Sequence, residues 1–417
     1  MRYLWYILRA TTGGETFRII QNSMKVFRIR WALATLILLA SPLGAWAQVV
    51  TLPMEKVSDL MFIDLKVNGE AATFVFDTGA TMPVMDTELA EAMGWEADQA
   101  TSVQGAGGSS TLQLLSDQEF ELGGTVTLPK TQVVLRDLTD LEESIGREFD
   151  GIIGYNILVH YLTLLDFETP QMILYDRATS AASISEGYTR VKFNFGRGIP
   201  IPQFKVSLTL TNGETVKGPI LFDSGAGSSL IVNRPFHRKH QMLDKAEAHS
   251  TTRSTSLTTQ SPSYNIAADK LSFAGFEVSD LPVRLSGSQQ GVTNYDGYLG
   301  LLGAEVINRF QVVLDYDNKT LYLKPNVHYQ DSFDFPLAGF GLKWKQDGVE
   351  VGFVVPDSQA EQEGIVEGMR VLSINGETYA GLEEYRELLK QEGEDVTLVV
   401  SDEGKEKTVV IRLKRLI

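Results

Sequence analysis

One repeat constrains this chain more than any other feature. Phe74–Thr81 reads FVFDTGAT, and Ile220–Ser228 reads ILFDSGAGS. Phe149–Leu158, FDGIIGYNIL, returns as YDGYLGLLGAEVI at Tyr295–Ile307. Leu164–Asp176, LLDFETPQMILYD, returns as VLDYDNKTLYL at Val313–Leu323. The Asp pair is offset by 223 − 77 = 146 residues, and aligning Gly154 with Gly300 gives 146 again. The third pair gives 315 − 166 = 149. Asn-Gly at 68–69 also recurs at 212–213. Three landmarks in one order at near-constant spacing mean two copies of one unit. Each copy carries a Phe-Asp strand end, and burying a lone carboxylate there is expensive.

The elements between the landmarks are short. Runs of Val, Ile, Phe, Leu and Thr alternate with Gly, Asn, Asp and Pro turns, which predicts a mainly β fold. Leu60–Asp77 reads as a hairpin turning at Asn68-Gly69. Asp86–Trp95 reads as a helix capped by Asp86 and stopped at Gly94. The first copy is expected over residues 48–180 and the second over 188–325, with 178–187 (ATSAASISEG) as linker. From 333 to 417 the pattern changes. A strand, a Pro turn, a short polar helix, a Gly turn and a strand ending in Asn-Gly occupy 354–379. An amphipathic helix (382–391) and an alternating hairpin (395–416) follow, giving a third, small α/β domain.

Residues 1–47 carry six basic and one acidic residue. Lys25, Arg28 and Arg30 precede an apolar run of ten residues, too short to span a bilayer easily. Ala45-Trp46-Ala47 then fits a small-x-small cleavage site, so 1–47 reads as a secretory signal peptide with Met24 as a candidate start. The expected location is outside the cytoplasm: periplasm, cell envelope or exterior, with no integral membrane segment once the signal is removed. The full chain carries −16, so residues 48–417 carry −16 − 5 = −21, which disfavours nucleic acid as a partner. With no cysteine, stability must come from packed cores rather than disulfides.

Two copies of an Asp-ending strand suggest a chemical role. A pseudo-twofold pair would bring Asp77 and Asp223 face to face. Two carboxylates that close share one proton, and the pair can serve as acid and base in one turnover. Gly79 and Gly225 allow a tight turn with free backbone N–H groups. The hydroxyls of Thr78 and Ser224 can bond across the axis. Apolar strands ending at Gly154 and at Gly300 would pack behind the loops.

At these residues the chain resembles the aspartic proteases, and Ala80 and Ala226 place the likeness nearer the retropepsin-like branch than pepsin. The resemblance covers roughly residues 50–325. It implies two homologous β lobes of the acid-protease fold, a peptidase cleft between them, Asp77 and Asp223 as the catalytic pair, and polypeptide substrates. It calls for no metal and no cofactor. The stretch QGAGGSS, with Gly105, Ala106, Gly107 and Gly108, resembles the flap that closes over substrate. The second half departs from this, carrying the polar STTRSTSLTTQSPSYN at 250–265 instead. Residues 354–377 resemble a PDZ domain of the kind attached to bacterial envelope proteases, although Gly368-Met369 stands where relatives carry Gly-Asp. Its carboxylate-binding loop would be Gly339, Phe340, Gly341 and Leu342, receiving a peptide or C-terminal ligand by strand addition.

Other features favour plain structural roles. DYDNK (315–319) lacks the Gly and terminal Glu of a calcium loop and reads as a hairpin turn. His237 and His240, with no Glu motif beside them, read as part of a surface helix. No serine-hydrolase elbow or phosphate loop occurs. The expected function is a secreted, monomeric aspartic endopeptidase whose PDZ domain recruits or gates substrate. The alternative is a non-catalytic envelope protein that grips peptides in the cleft and the PDZ groove.

Overall fold

The computed structural model describes residues 48–104, 109–256 and 260–417, and residues 48–417 form one compact unit. The signal-peptide reading of 1–47 and the Met24 start lie outside the described residues. So does the Gly105–Gly108 tip of the expected flap.

The duplication is visible as two sheets of the same topology. In the first, Leu60–Val67, Glu70–Phe76, Gly151–Ile153, Val84–Asp86, Thr131–Arg136, Ser109–Gln118 and Gln99–Gln104 lie side by side in that order. In the second, the order is Gln203–Leu210, Thr215–Phe222, Gly300–Leu302, Leu230–Val232, Phe276–Ser286, Gln260–Phe273 and Ser250–Thr255. The pairing directions also agree. The Asp-ending strand runs parallel to the Gly strand in both sheets, and that strand runs antiparallel to the next. The Asn68-Gly69 turn forms as read, with both residues at positive φ.

One part of the sequence alignment was out of register. Phe76 pairs with Ile153 and Phe222 with Leu302, so Gly154 corresponds to Gly303, not Gly300. The true offset there is 303 − 154 = 149, matching the third landmark. The slip arose because YLGLLG repeats apolar-apolar-Gly every three residues, so both registers fit the pattern. Apolar Leu301-Leu302 therefore backs the second loop.

A third sheet joins the copies. Its six strands run Gln48–Pro53, Gln171–Tyr175, Leu162–Asp166, Phe310–Asp315, Thr320–Pro325 and Thr189–Lys192. The first three come from one copy and the last three from the other. They meet where Thr163, Leu164 and Leu165 pair with Leu314, Val313 and Val312. Both outer hairpins turn on an aspartate. Asp166 accepts from the Glu168 and Thr169 N–H groups, and Asp315 accepts from the Asn318 N–H and side chain. The DYDNK stretch is thus a hairpin turn.

The expected linker is more structured than a loop. It contains a helical turn, Ala181–Ile184, whose Ala181 and Ile184 pack on Leu162, Tyr175 and Val313 of the joining sheet. The helix containing His237 runs Arg234–Lys239, but His237 is buried rather than on the surface. Its Nε2 lies 2.8 Å from the Ser286 carbonyl oxygen, and its apolar surroundings hold its pKa below the ordinary value.

Residues 340–412 form a five-stranded sheet, Phe340–Lys345, Gly348–Val354, Arg370–Ile374, Asp395–Asp402 and Lys405–Arg412 in sequence order. Helices Gln359–Gln362 and Leu382–Leu388 accompany it. Buried apolar side chains of this segment and of both copies belong to one continuous core. The connector is held by Arg309, which donates to the Ser332 carbonyl at 3.1 Å and stacks on the Phe333 ring at 3.7 Å.

The linker turn yields a test of how much the joining sheet depends on its cover. Ile184→Ala should destabilise the fold by about 2–5 kcal/mol, read as a lower urea midpoint with an unchanged slope. A shift under ~0.5 kcal/mol would mean that the turn is peripheral.

Candidate active site

Each copy aims one aspartate at the other. Strand Glu70–Phe76 is apolar and buried at its end (Phe74, Val75, Phe76), so Asp77 leaves the sheet at a fixed point. Strand Thr215–Phe222 does the same for Asp223. Behind each loop, the Asp N–H donates to the parallel strand: Asp77 to the Ile153 carbonyl at 2.9 Å and Asp223 to that of Leu302 at 3.0 Å. Gly154 and Gly303 sit where a side chain would strike the carbonyls of Asp77 and Ser228. The glycine ending each apolar strand is thus required by close backbone approach.

The loops are locked by four hydrogen bonds across the axis. Thr78 Oγ1 donates to the Phe222 carbonyl at 2.8 Å and accepts from the Ser224 N–H at 3.0 Å. Ser224 Oγ donates to the Phe76 carbonyl at 3.3 Å and accepts from the Thr78 N–H at 3.0 Å. Both hydroxyl residues are buried. Every donor and acceptor of the crossing is therefore satisfied by the other copy, as buried polar groups require.

The carboxyl groups complete the arrangement. Gly79 N–H donates to Asp77 Oδ1 at 2.6 Å, and Gly225 N–H donates to Asp223 Oδ1 at 3.1 Å. A Cβ on Gly79 would lie 2.7 Å from Asp223 Oδ1, and one on Gly225 would overlap the Asp77 carboxyl still more closely. Each glycine is thus fixed by the opposite aspartate as well as by its own turn. The two carboxyl groups lie close enough to influence each other's protonation. Both pKa values are raised. Burial is the main cause for each, and for Asp223 the charge of Asp77 adds to it, holding Asp223 well above the ordinary carboxyl value. N–H groups of Gly79, Gly225 and Ala80 oppose the rise at Asp77. Asp77, Gly79, Asp223 and Gly225 nonetheless keep partial solvent exposure, so the pair is crowded by protein yet open to water. Such a pair carries one proton and one charge over a broad pH range.

The structure therefore brings together Asp77, Thr78, Gly79, Ser224 and Gly225 with Asp223. Gly339, Phe340, Gly341 and Leu342 lie elsewhere, at the start of the first C-terminal strand. Gly339 is at positive φ, the Phe340 and Leu342 side chains are buried, and the Phe353 ring covers Gly341. Sequence reading missed Tyr316. It lies in the second copy, yet Asp77 of the first is near enough to help raise its pKa, after burial and Tyr155. Its buried hydroxyl has no hydrogen-bond partner among the described residues. No sequence signal marks it, because the neighbourhood exists only once the copies pair.

With this geometry in place, comparison is informative. The family model for aspartyl proteases matches residues 63–157. The matched stretch begins in strand Leu60–Val67 and holds Asp77, Gly79 and Gly154. The first copy is thus similar to an aspartyl protease domain, and its surroundings are mainly β. A search of curated proteins returns no match.

Two outcomes test the site. Thr78→Val removes one donor and one acceptor from a buried network and should cost about 1–3 kcal/mol, whereas Thr78→Ser should cost much less. The pKa shifts also set a pH dependence. Asp223 is raised on folding, so its contribution is fully present below the unfolded carboxyl value and is lost as pH rises through the folded one. Asp223→Asn removes the buried charge conflict. It should raise the thermal midpoint at pH 7, by ~2 °C per kcal/mol relieved, and the gain should vanish near pH 3.

Proposed function

We propose that this chain is an aspartic endopeptidase, with the two copies as lobes, the cleft between them and no metal or covalent intermediate in the reaction. The observation that carries this reading is the reciprocal pairing of the two Asp loops, in which each glycine leaves room for the opposite carboxyl. The family match over the first copy supports the same class.

In this reading a water sits between Asp77 and Asp223. The ionised member of the pair takes a proton as the water attacks the scissile carbonyl carbon. The protonated member gives its proton to the carbonyl oxygen. The tetrahedral species then collapses as the amine leaves protonated, and the dyad again holds one proton. Thr78 and Ser224 are positioning residues, which hold the two loops at one separation.

The C-terminal segment, 333–417, is read as a PDZ-type domain. Its five-stranded sheet with two helices supports this, as does an outermost strand, Phe340–Lys345, preceded by Gly339. The chain is further proposed to be exported after removal of 1–47. Among the described residues no helix is long and apolar enough to cross a membrane.

Residues 48–417 incubated with unfolded casein from acidic to neutral pH should cleave it with a bell-shaped pH profile. Asp77→Asn and Asp223→Asn should each lower the rate by about 10²–10⁴-fold. Equal cleavage by the wild type and the double variant, or loss of activity only with a chelator, would overturn the mechanism.

A further inference from the structure

The outer strand of the C-terminal sheet is not free. Phe340–Lys345 pairs through one edge with Gly348–Val354 and, among the described residues, has no strand partner on the other. The helix Leu382–Leu388 packs beside this strand. A groove between an unpaired strand edge and a helix is suited to a peptide. Here it is approached by another part of the same chain, the helix Thr139–Ile145 of the first copy and the turn that follows it.

Contacts on both walls define the docking. On the strand wall, Glu143 ion-pairs with Lys345 and lies 3.7 Å from Lys343 Nζ. Residues two apart on a strand share one face, so both lysines converge on one carboxylate. The Glu143 side chain is only 13% exposed. On the helix wall, Arg386 Nη2 donates to the Ser144 carbonyl at 2.6 Å, and Nη1 donates to the Ile145 carbonyl at 3.1 Å. These are carbonyls at the helix C-terminus, where a cation is favoured. Gly146 then turns the chain at φ 92°, and a Cβ there would lie 2.6 Å from that of Leu382. Leu382 is thus covered by backbone from the first copy.

The helix is short and only half-buried. None of its seven residues is fully buried; within the first copy it is held by Leu141 and Ile145 against the core, by the Asp137 carboxylate on the Thr139 N–H and by Glu142 on the Phe149 N–H. It carries Asp140, Glu142 and Glu143. A seven-residue helix has little stability of its own and depends on what it packs against. The groove supplies Lys343, Lys345 and Arg386. The C-terminal segment also holds the second copy, through Arg253–Glu367 at 2.7 Å and Arg415–Asp280 at 2.9 Å. Docking therefore ties a helix of one copy to a hairpin strand of the other.

We propose that the groove between Phe340–Lys345 and Leu382–Leu388 is a binding site for acidic peptide segments, occupied in cis by Thr139–Ile145. An acidic peptide in trans competes with this helix, and its binding releases the tie between the two copies. The proposal rests on the peptide-binding reading of the C-terminal domain, but not on hydrolysis.

The test uses residues 48–417 carrying Asp77→Asn, so that the probe survives whether or not the wild type is a peptidase. The probe is a fluorescent peptide of residues 138–147, LTDLEESIGR, followed by anisotropy. A groove occupied in cis weakens apparent affinity by the fraction of time it is closed. Glu143→Lys sets a cation against Lys343 and Lys345 and should open it, tightening binding by about tenfold. Glu143→Ala should give a smaller gain, which keeps the test valid if charge reversal harms folding. Adding Lys343→Ala and Lys345→Ala should cancel the gain, and a probe with its three acidic residues changed to amides should bind weakly throughout. Equal affinity in the parent and both Glu143 variants would overturn the proposal, as would equal binding of the amide probe. Because no cleavage is read, such a failure leaves the peptidase reading intact, and failure of casein cleavage leaves this one intact.

Discussion

The four hydrogen bonds between Thr78 and Ser224 and the strand ends Phe222 and Phe76 fix everything else at the site. They are buried, so breaking one leaves a polar group without water as a substitute. They also join residues 144 to 148 positions apart and set the distance between two loops that have no covalent link nearby. An error of an ångström in that distance would turn a shared proton into two separate titrations. The crossing and the six-stranded joining sheet complement each other: the sheet holds the copies together, and the crossing sets their register at the carboxylates.

The carboxyl pair uses energy that the fold supplies elsewhere. Two acids buried side by side oppose folding at neutral pH, and the raised pKa of Asp223 reflects that opposition. Burial of Phe74, Phe76, Phe222 and Leu302 directly behind the loops gives the compensation. Apolar strand ends are thus linked to function: they make it possible to hold a strained pair of acids rigidly. Gly79 and Gly225 serve the same end by removing the side chains that would keep the carboxyls apart.

Much of this was legible in the sequence because duplication converts weak signals into strong ones. One Asp-Thr-Gly is an ordinary turn, but two, each followed by an apolar-Gly strand, imply an axis. The Asn68-Gly69 hairpin and the helix capped by Asp86 were legible from local chemistry, and Asp86 does accept from the Glu88 N–H. Register within YLGLLG was not legible, since a three-residue slip preserves the pattern and only pairing with Phe222 decides it. The burial of His237 and the nearness of Tyr316 to Asp77 depend on neighbours distant in sequence. Local periodicity contains no record of such contacts.

The contact between Thr139–Ile145 and the C-terminal groove lay beyond sequence reading for the same reason, but its physics differs from that of the core. Core contacts bury apolar surface and have no alternative partner of equal quality. The docked helix rests Leu141 and Ile145 on the first copy's core, but its ties to the C-terminal segment are Glu143 between two lysines and Arg386 on backbone carbonyls. Ionic and backbone contacts of this kind can be supplied equally well by another acidic chain, and partly exposed charges are weakened by salt. An element that is short, partly exposed and held by replaceable contacts belongs to the low-stability end of a fold, from which moving parts are drawn. The Asp77 loop and the docked helix thus lie in the same first copy, and strand Gly151–Ile153, which follows the helix in sequence, pairs with the strand that ends at Asp77.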